Sequence, residues 1–79
     1  MHVLFFAQLK DVTGCSEVDL PLTAGLNAPL LWAELLRRFP ALEAHRANVR
    51  LARNWEYATD GALFADNDEV ALIPPVSGG

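Results

Sequence analysis

Cysteine is almost missing from this sequence: Cys15 stands alone, with only His2 and His45 beside it as further soft or borderline metal ligands. A single thiol closes no disulfide within the chain, and three scattered residues do not make the four-ligand set of a structural zinc site or an iron–sulfur cluster. A reducing compartment is the expectation that follows. Basic residues are also scarce. Six Lys and Arg stand against ten Asp and Glu, for a net charge of −4, and no basic cluster exceeds the pair Arg37-Arg38. That argues against a nucleic-acid partner, whose phosphates demand a basic face, and favours steering towards a positively charged groove on another protein. Long apolar runs are missing too. Met1 to Phe6 is apolar but short, without preceding basic residues, and Gln8 and Lys10 interrupt its continuation, so neither a signal peptide nor a membrane span is expected and the location expected is cytoplasmic. The sequence contains no G-x-S-x-G, no glycine-rich phosphate loop and no H-x-x-x-H spacing, and it shows no internal repeat or low-complexity run.

What remains is a chain of 79 residues, 52% apolar and 20% charged, which fits one globular domain rather than two or a disordered segment. At that length folding buries roughly 60% of the surface of the unfolded chain, enough for one modest core. Val3 to Leu9 is apolar in both alternating sets, Val3/Phe5/Ala7 and Leu4/Phe6, the pattern of a central strand buried on both faces. Lys10 to Gly14 reads as a polar turn whose glycine takes a positive φ. Ser16 to Leu22 alternates strictly, and Pro21 places that strand at an edge, so the first two strands are expected to form a hairpin.

Asn27 is positioned to cap a helix, with Pro29 in the first turn, where a missing N–H costs nothing. Ala28, Leu31, Trp32, Leu35 and Phe39 fall on one stripe at helical spacing, and Pro40 ends the helix with at most one short turn following. The stripe is what a helix needs to dock on a sheet, which outweighs a cofactor-pocket reading of its aromatics. Val49 to Arg53 and Glu56 to Ala58 read as strands joined by an Asn54-Trp55 turn; Asp60-Gly61 marks another turn, and Leu63-Phe64 anchors the next loop to the core. After the Asp66-Asn67-Asp68 turn, Glu69 to Pro74 is again apolar on both faces and should lie beside the first strand. The expected order is ββαβββ, with the outer strands of the sequence parallel in the middle of the sheet. The fold class is therefore α+β: a ubiquitin-like β-grasp, a mixed sheet of about five strands with one main helix across it. One domain over residues 1–79 is expected, with 75–79 as a projecting C-terminal tail.

The interior is chemically silent. Cys15 lacks a neighbouring base or cation to generate thiolate and reads as an inert hairpin residue. His2 and His45 read as surface residues, and Asp66, Asp68 and Glu69 as solvated turn carboxylates rather than an acid–base pair. The tail, Pro74-Pro75-Val76-Ser77-Gly78-Gly79, is different. Two prolines fix φ and remove two donors, making a stiff spacer; two glycines without Cβ follow, able to thread a channel too narrow for other residues. A frayed chain end or a processing remnant would read the same way. As a reactive arm it would offer only the carboxylate of Gly79. That carboxylate becomes an electrophile if ATP converts it to an acyl-adenylate, from which AMP leaves as a sulfur nucleophile enters to give a thiocarboxylate.

Three segments in register carry a family likeness. Val3-Leu4-Phe5-Phe6-Ala7-Gln8, Asp66-Asn67-Asp68-Glu69-Val70 and Pro74-Pro75-Val76-Ser77-Gly78-Gly79 resemble the first strand, the D-G-D-E-V turn and the P-P-V-[ST]-G-G ending of the small sulfur-carrying subunits of molybdopterin synthase. The resemblance spans essentially the whole chain. Asn67 replaces the usual turn glycine, and Arg53-Asn54-Trp55 departs from the family's hairpin, leaving that hairpin's register open.

The resemblance implies a sulfur carrier in molybdenum cofactor biosynthesis. Gly79, behind Gly78, would be adenylated by an E1-like enzyme using ATP and converted to a thiocarboxylate with sulfur from a donor protein. It would then deliver that sulfur to cyclic pyranopterin monophosphate in the large synthase subunit, which supplies the catalytic groups. It also implies a hetero-oligomer with that subunit, no permanently bound cofactor, and no membrane or nucleic-acid partner. From the residues themselves, Ile73, Pro75, Val76 and Ser77 are the expected partner-binding positions, because the last strand has more apolar faces than one core can cover; Phe5 or Phe6 joins them unless core packing claims both. Two alternatives stay open: a carrier for thiamin synthesis or another pathway, and a β-grasp interaction module whose C-terminus is never activated.

Overall fold

The computed structural model describes residues 1–21, 25–59 and 61–75. Its centre is a five-stranded sheet. In chain order the strands are β1 (His2–Phe5), β2 (Glu17–Asp19), β4 (Arg50–Arg53), β5 (Glu56–Tyr57) and β7 (Glu69–Ile73), arranged β2-β1-β7-β4-β5. Two short strands, β3 (Leu26–Asn27) and β6 (Leu63–Phe64), form a separate antiparallel pair. As the double-sided apolar patterns required, β1 and β7 lie side by side and parallel, with Val3 opposite Val70 and Phe5 opposite Leu72. β2 is an edge strand, as Pro21 indicated, but it spans only Glu17–Asp19 of the expected Ser16 to Leu22: Ser16, Leu20 and Pro21 fall outside the strand, and Leu22 lies outside the described residues.

The main helix, α2 (Ala28–Arg38), starts where its cap was expected: the Asn27 side chain accepts the Leu30 N–H at 3.0 Å. Leu31, Trp32 and Leu35 are buried from its apolar stripe, while Ala28 and Phe39 are half-buried. Trp32 is 6% exposed, with the Arg46 guanidinium 5.7 Å from its ring centre, so this aromatic belongs to the core. Past Pro40 the chain continues as nine residues of 3₁₀ helix, Pro40–Asn48, longer than the single turn expected, and buries Leu42 beneath it. Phe64 is fully buried and anchors its segment as expected, through pairing with β3.

The sequence reading fails at one place in the first third. β1 stops at Phe5, four residues short of the expected end, and Gln8–Thr13 forms a helix, α1. Leu9 and Val12 repeat at helical spacing; Leu9 is buried, and Gly14 closes the helix at φ 78° with its N–H donating to the Lys10 carbonyl at 2.8 Å. The positive φ at Gly14 is the expected one, but it is a helix C-cap and not a hairpin turn. β1 and β2 are still antiparallel neighbours, joined through a helix.

Candidate functional site

Strand register divides the sheet into two faces. Val3, Phe5, Val70 and Leu72 point to the helix side and are at most 2% exposed. The opposite face carries a row across four strands, Leu4, Ala71, Ala52 and Tyr57, each aligned with the next. The following row sets Arg50 opposite Ile73. Beyond Ile73 the chain leaves the sheet through Pro74, which is buried, and Pro75, which is exposed.

This outer face holds a cluster of large apolar groups in water. Phe6 is 38% exposed, Trp55 68% and Tyr57 55%. Phe6 and Trp55 meet edge to face, with ring centroids 6.5 Å apart. Ala52, Trp55, Tyr57 and Ile73 line a shallow hollow of about 170 Å³ at the point where the tail begins. The Arg50 guanidinium sits 4.2 Å over the Tyr57 ring, a cation held at the rim.

Trp55 occupies its position against a local cost. The turn joining β4 to β5 has Asn54 at φ 51° and Trp55 at φ 70°, the left-handed pair that suits a tight hairpin but not a bulky side chain. Asn54 fixes it. Its backbone N–H donates to the Glu69 carbonyl at 2.7 Å, its side-chain amide donates to Asp68 Oδ1 at 3.0 Å, and its side-chain oxygen accepts the Glu69 N–H at 3.0 Å. Asp68 Oδ2 in turn accepts the Ala65 N–H at 2.8 Å. That bond, followed by the one from Asn54, holds the Asp68 carboxyl below its ordinary range. The Ala65 bond keeps Asp68 in its own turn, as expected, but the Asn54 bond makes it a clamp on the β4–β5 hairpin rather than a solvated carboxylate, and the hairpin left open in the sequence is settled by this network.

Of the expected partner-binding residues, Ile73 and Pro75 lie at this hollow's edge and on the outgoing chain, respectively; Val76, Ser77, Gly78 and Gly79 lie outside the described residues. The two phenylalanines separate. Phe5 is 2% exposed and packs edge-on against Phe39 at 5.4 Å, leaving Phe6 alone on the outer face. Trp55 and Tyr57 were missed as surface residues: the sequence places them in a turn and a short strand, and two aromatics at alternate positions directly after a turn Asn were the signal available.

His2 is not a plain surface residue. Its Nδ1 lies 2.7 Å from Asp19 and its Nε2 3.2 Å from Glu17, both on the neighbouring edge strand. The Asp19 hydrogen bond, with help from Glu17, raises its pKa above the ordinary 6.5. Cys15 is half-buried, its thiol 3.8 Å from the Thr13 hydroxyl, and His45 is half-buried in the 3₁₀ segment. Among the described residues no three His, Cys, Asp or Glu side chains gather as a metal site, and no helix is long and apolar enough to cross a membrane.

The comparisons agree with one another. The ThiS family model matches residues 3–79. The molybdopterin synthase sulfur carrier subunit of Arabidopsis thaliana is 43% identical over 79 residues, covering 100% of this chain and 82% of the relative. Among solved structures, the small archaeal modifier protein 1 of Haloferax volcanii superposes with a TM-score of 0.82 at 30% identity, covering 96% of this chain and 97% of its own. A putative molybdopterin converting factor subunit 1 from Pyrococcus furiosus gives a TM-score of 0.82 at 25% identity, with 95% of each chain covered.

Proposed function

The chain belongs to the ThiS family, and on that premise we propose that it is a sulfur carrier of molybdenum cofactor biosynthesis. The observation that carries the proposal is the full-length match to relatives named as molybdopterin synthase sulfur carrier subunits. The reading gives each part of the molecule a task. Pro75 is exposed where the chain leaves the sheet, and an E1-like enzyme adenylates Gly79 with ATP. A sulfur donor protein then replaces AMP, leaving the thiocarboxylate. No general base is needed on the carrier, because positioning and charge stabilisation can come from the enzymes it docks with.

The outer sheet face supplies the docking surface. Phe6, Trp55, Tyr57 and Ile73 form an apolar patch continuous with the start of the tail, and Arg50 marks its rim. A large synthase subunit covering this patch would draw the following residues, Pro75 to Gly79, into its own active site, where the sulfur passes to cyclic pyranopterin monophosphate. The P-P-V-S-G-G ending favours this pathway over thiamin synthesis.

Intact mass tests the proposal. Incubation with the activating enzyme, ATP and a sulfur donor should exchange one oxygen of the chain for sulfur, and deletion of Gly79 should abolish both that exchange and molybdopterin formation with the large subunit while leaving the fold intact. Molybdopterin made with the truncated chain would refute the carrier role.

A further inference from the structure

The outer face of the sheet is electrically uneven. Strand register puts Glu17 beside Leu4, and Asp19 and Glu69 on either side of His2, so three carboxylates lie on that face towards the β2 edge, with the His2 ring bonded to Asp19 and Glu17. At the other end of the face, exposed Arg50 stands opposite Ile73, the last residue of β7. Its guanidinium lies 4.2 Å over the Tyr57 ring. A ring attracts the cation through its quadrupole but supplies no lone pair to the five N–H donors. Other arginines have donors engaged: Arg37 bonds Glu34 at 2.7 Å, and Arg53 donates to the Leu63 carbonyl at 2.6 Å. Among the described residues no carboxylate lies within ion-pair distance of Arg50.

Resting on the large-subunit docking proposed above, we propose that Arg50 is the specificity-determining residue of this face: its guanidinium pairs with a carboxylate of the large synthase subunit, set among the apolar groups that cover Phe6, Trp55, Tyr57 and Ile73. Covering the face strips water from Arg50, and a desolvated guanidinium without acceptors opposes docking. A carboxylate matches the guanidinium fork with two parallel hydrogen bonds, which a single backbone carbonyl cannot do. The pair also sets the orientation. Turned end for end on the face, the same carboxylate would meet Glu17, Asp19 and Glu69, where like charges repel. The net charge of −4 steers the chain towards a basic partner overall. One acidic residue in that partner then reads which way round the face lies, and so where β7 ends.

The test measures binding kinetics of the full chain with the large synthase subunit of the same organism, for wild type and for Arg50→Ala, Arg50→Lys and Arg50→Glu, with urea unfolding showing that each variant is folded. Arg50→Ala should weaken Kd by about 30-fold or more, chiefly through faster dissociation; Arg50→Lys, which keeps the charge and loses the fork, should fall between it and wild type, and Arg50→Glu should bind worst. Alanine scanning of the subunit's Asp and Glu residues should find one whose change couples to Arg50→Ala by about tenfold or more in a double-mutant cycle. Binding of Arg50→Ala within about twofold of wild type, Arg50→Glu no weaker than Arg50→Ala, or the absence of any coupled acidic residue would each overturn the inference and leave docking standing. A wild-type chain that does not bind the subunit would overturn the docking reading as well, which separates the two.

Discussion

Replacing Trp55 tests the docking face and the turn together, because the two respond with opposite signs. Trp55 leaves 68% of its surface in water. With up to ~250 Å² on a tryptophan side chain, about 170 Å² remains for a partner to cover, and at ~25 cal/mol per Å² that is worth about 4 kcal/mol as an upper bound. Interface tryptophans commonly return about half of such a bound or more, so Trp55→Ala should weaken binding to the large synthase subunit by about 2–4 kcal/mol, roughly 30- to 1000-fold in Kd. Trp55→Gly should weaken it similarly. Folding separates the variants: at φ 70° alanine keeps the left-handed penalty and glycine does not. The glycine variant should therefore be the more stable of the two by ~1 kcal/mol, since both lose the Phe6 contact and only one relieves the backbone. Calorimetric titration against the large subunit, with urea unfolding of each variant alone, measures both quantities. Docking unchanged within about twofold would remove Trp55 from the interface, and a glycine variant no more stable than the alanine one would refute the strain assigned to the turn.

Two further outcomes follow from the tail and from the edge strand. Gly78→Val adds a branched side chain where the tail is proposed to thread the activating enzyme, so adenylation should fail with little change in thermal stability; unchanged adenylation kinetics would contradict it. His2, with its pKa raised chiefly by Asp19, contributes stability that is complete below its ordinary 6.5 and is lost as pH rises through the raised value. Wild type should thus exceed His2→Gln in urea midpoint below about pH 6 and lose that margin progressively as pH rises past His2's ordinary range, whereas a constant margin would show that the clamp is not ionic.

The parts of the fold that could be read from sequence are those where a local pattern and the final packing demand the same thing. Val3 to Phe5 and Val70 to Leu72 are apolar at consecutive positions because both faces of a central strand are covered, and Asn27 and Pro40 punctuate α2 through backbone chemistry that needs no tertiary partner. Gln8 to Thr13 misled because an apolar run cannot reveal where a strand ends: Leu9 suits a strand or a helix, and the break at Ala7, with φ 51°, has no glycine or proline to mark it in the sequence. The same limit applied to Phe5 and Phe6. Adjacent identical residues on a strand face opposite ways, and only the sheet's register decides which one meets Phe39 and which meets Trp55. Trp55 was hidden more deeply, since hydrogen bonds from Asn54 to Asp68 and Glu69, 14 and 15 residues away, hold a bulky residue where its own preference would not place it.

The placement of β7 has a consequence in time. Among the described strands it comes last in the chain, yet it sits between β1 and β4, the first of them and one from the second half of the sequence. Until Glu69 to Ile73 has left the ribosome, β1 and β4 have no common neighbour, and the row that runs from Leu4 through Ala71 to Ala52 does not exist. A nascent chain therefore has its aromatic residues but no surface on which they are arranged. The segment that completes that surface also leads directly into Pro74-Pro75, so the proposed docking face is finished by the same strand that carries the proposed arm.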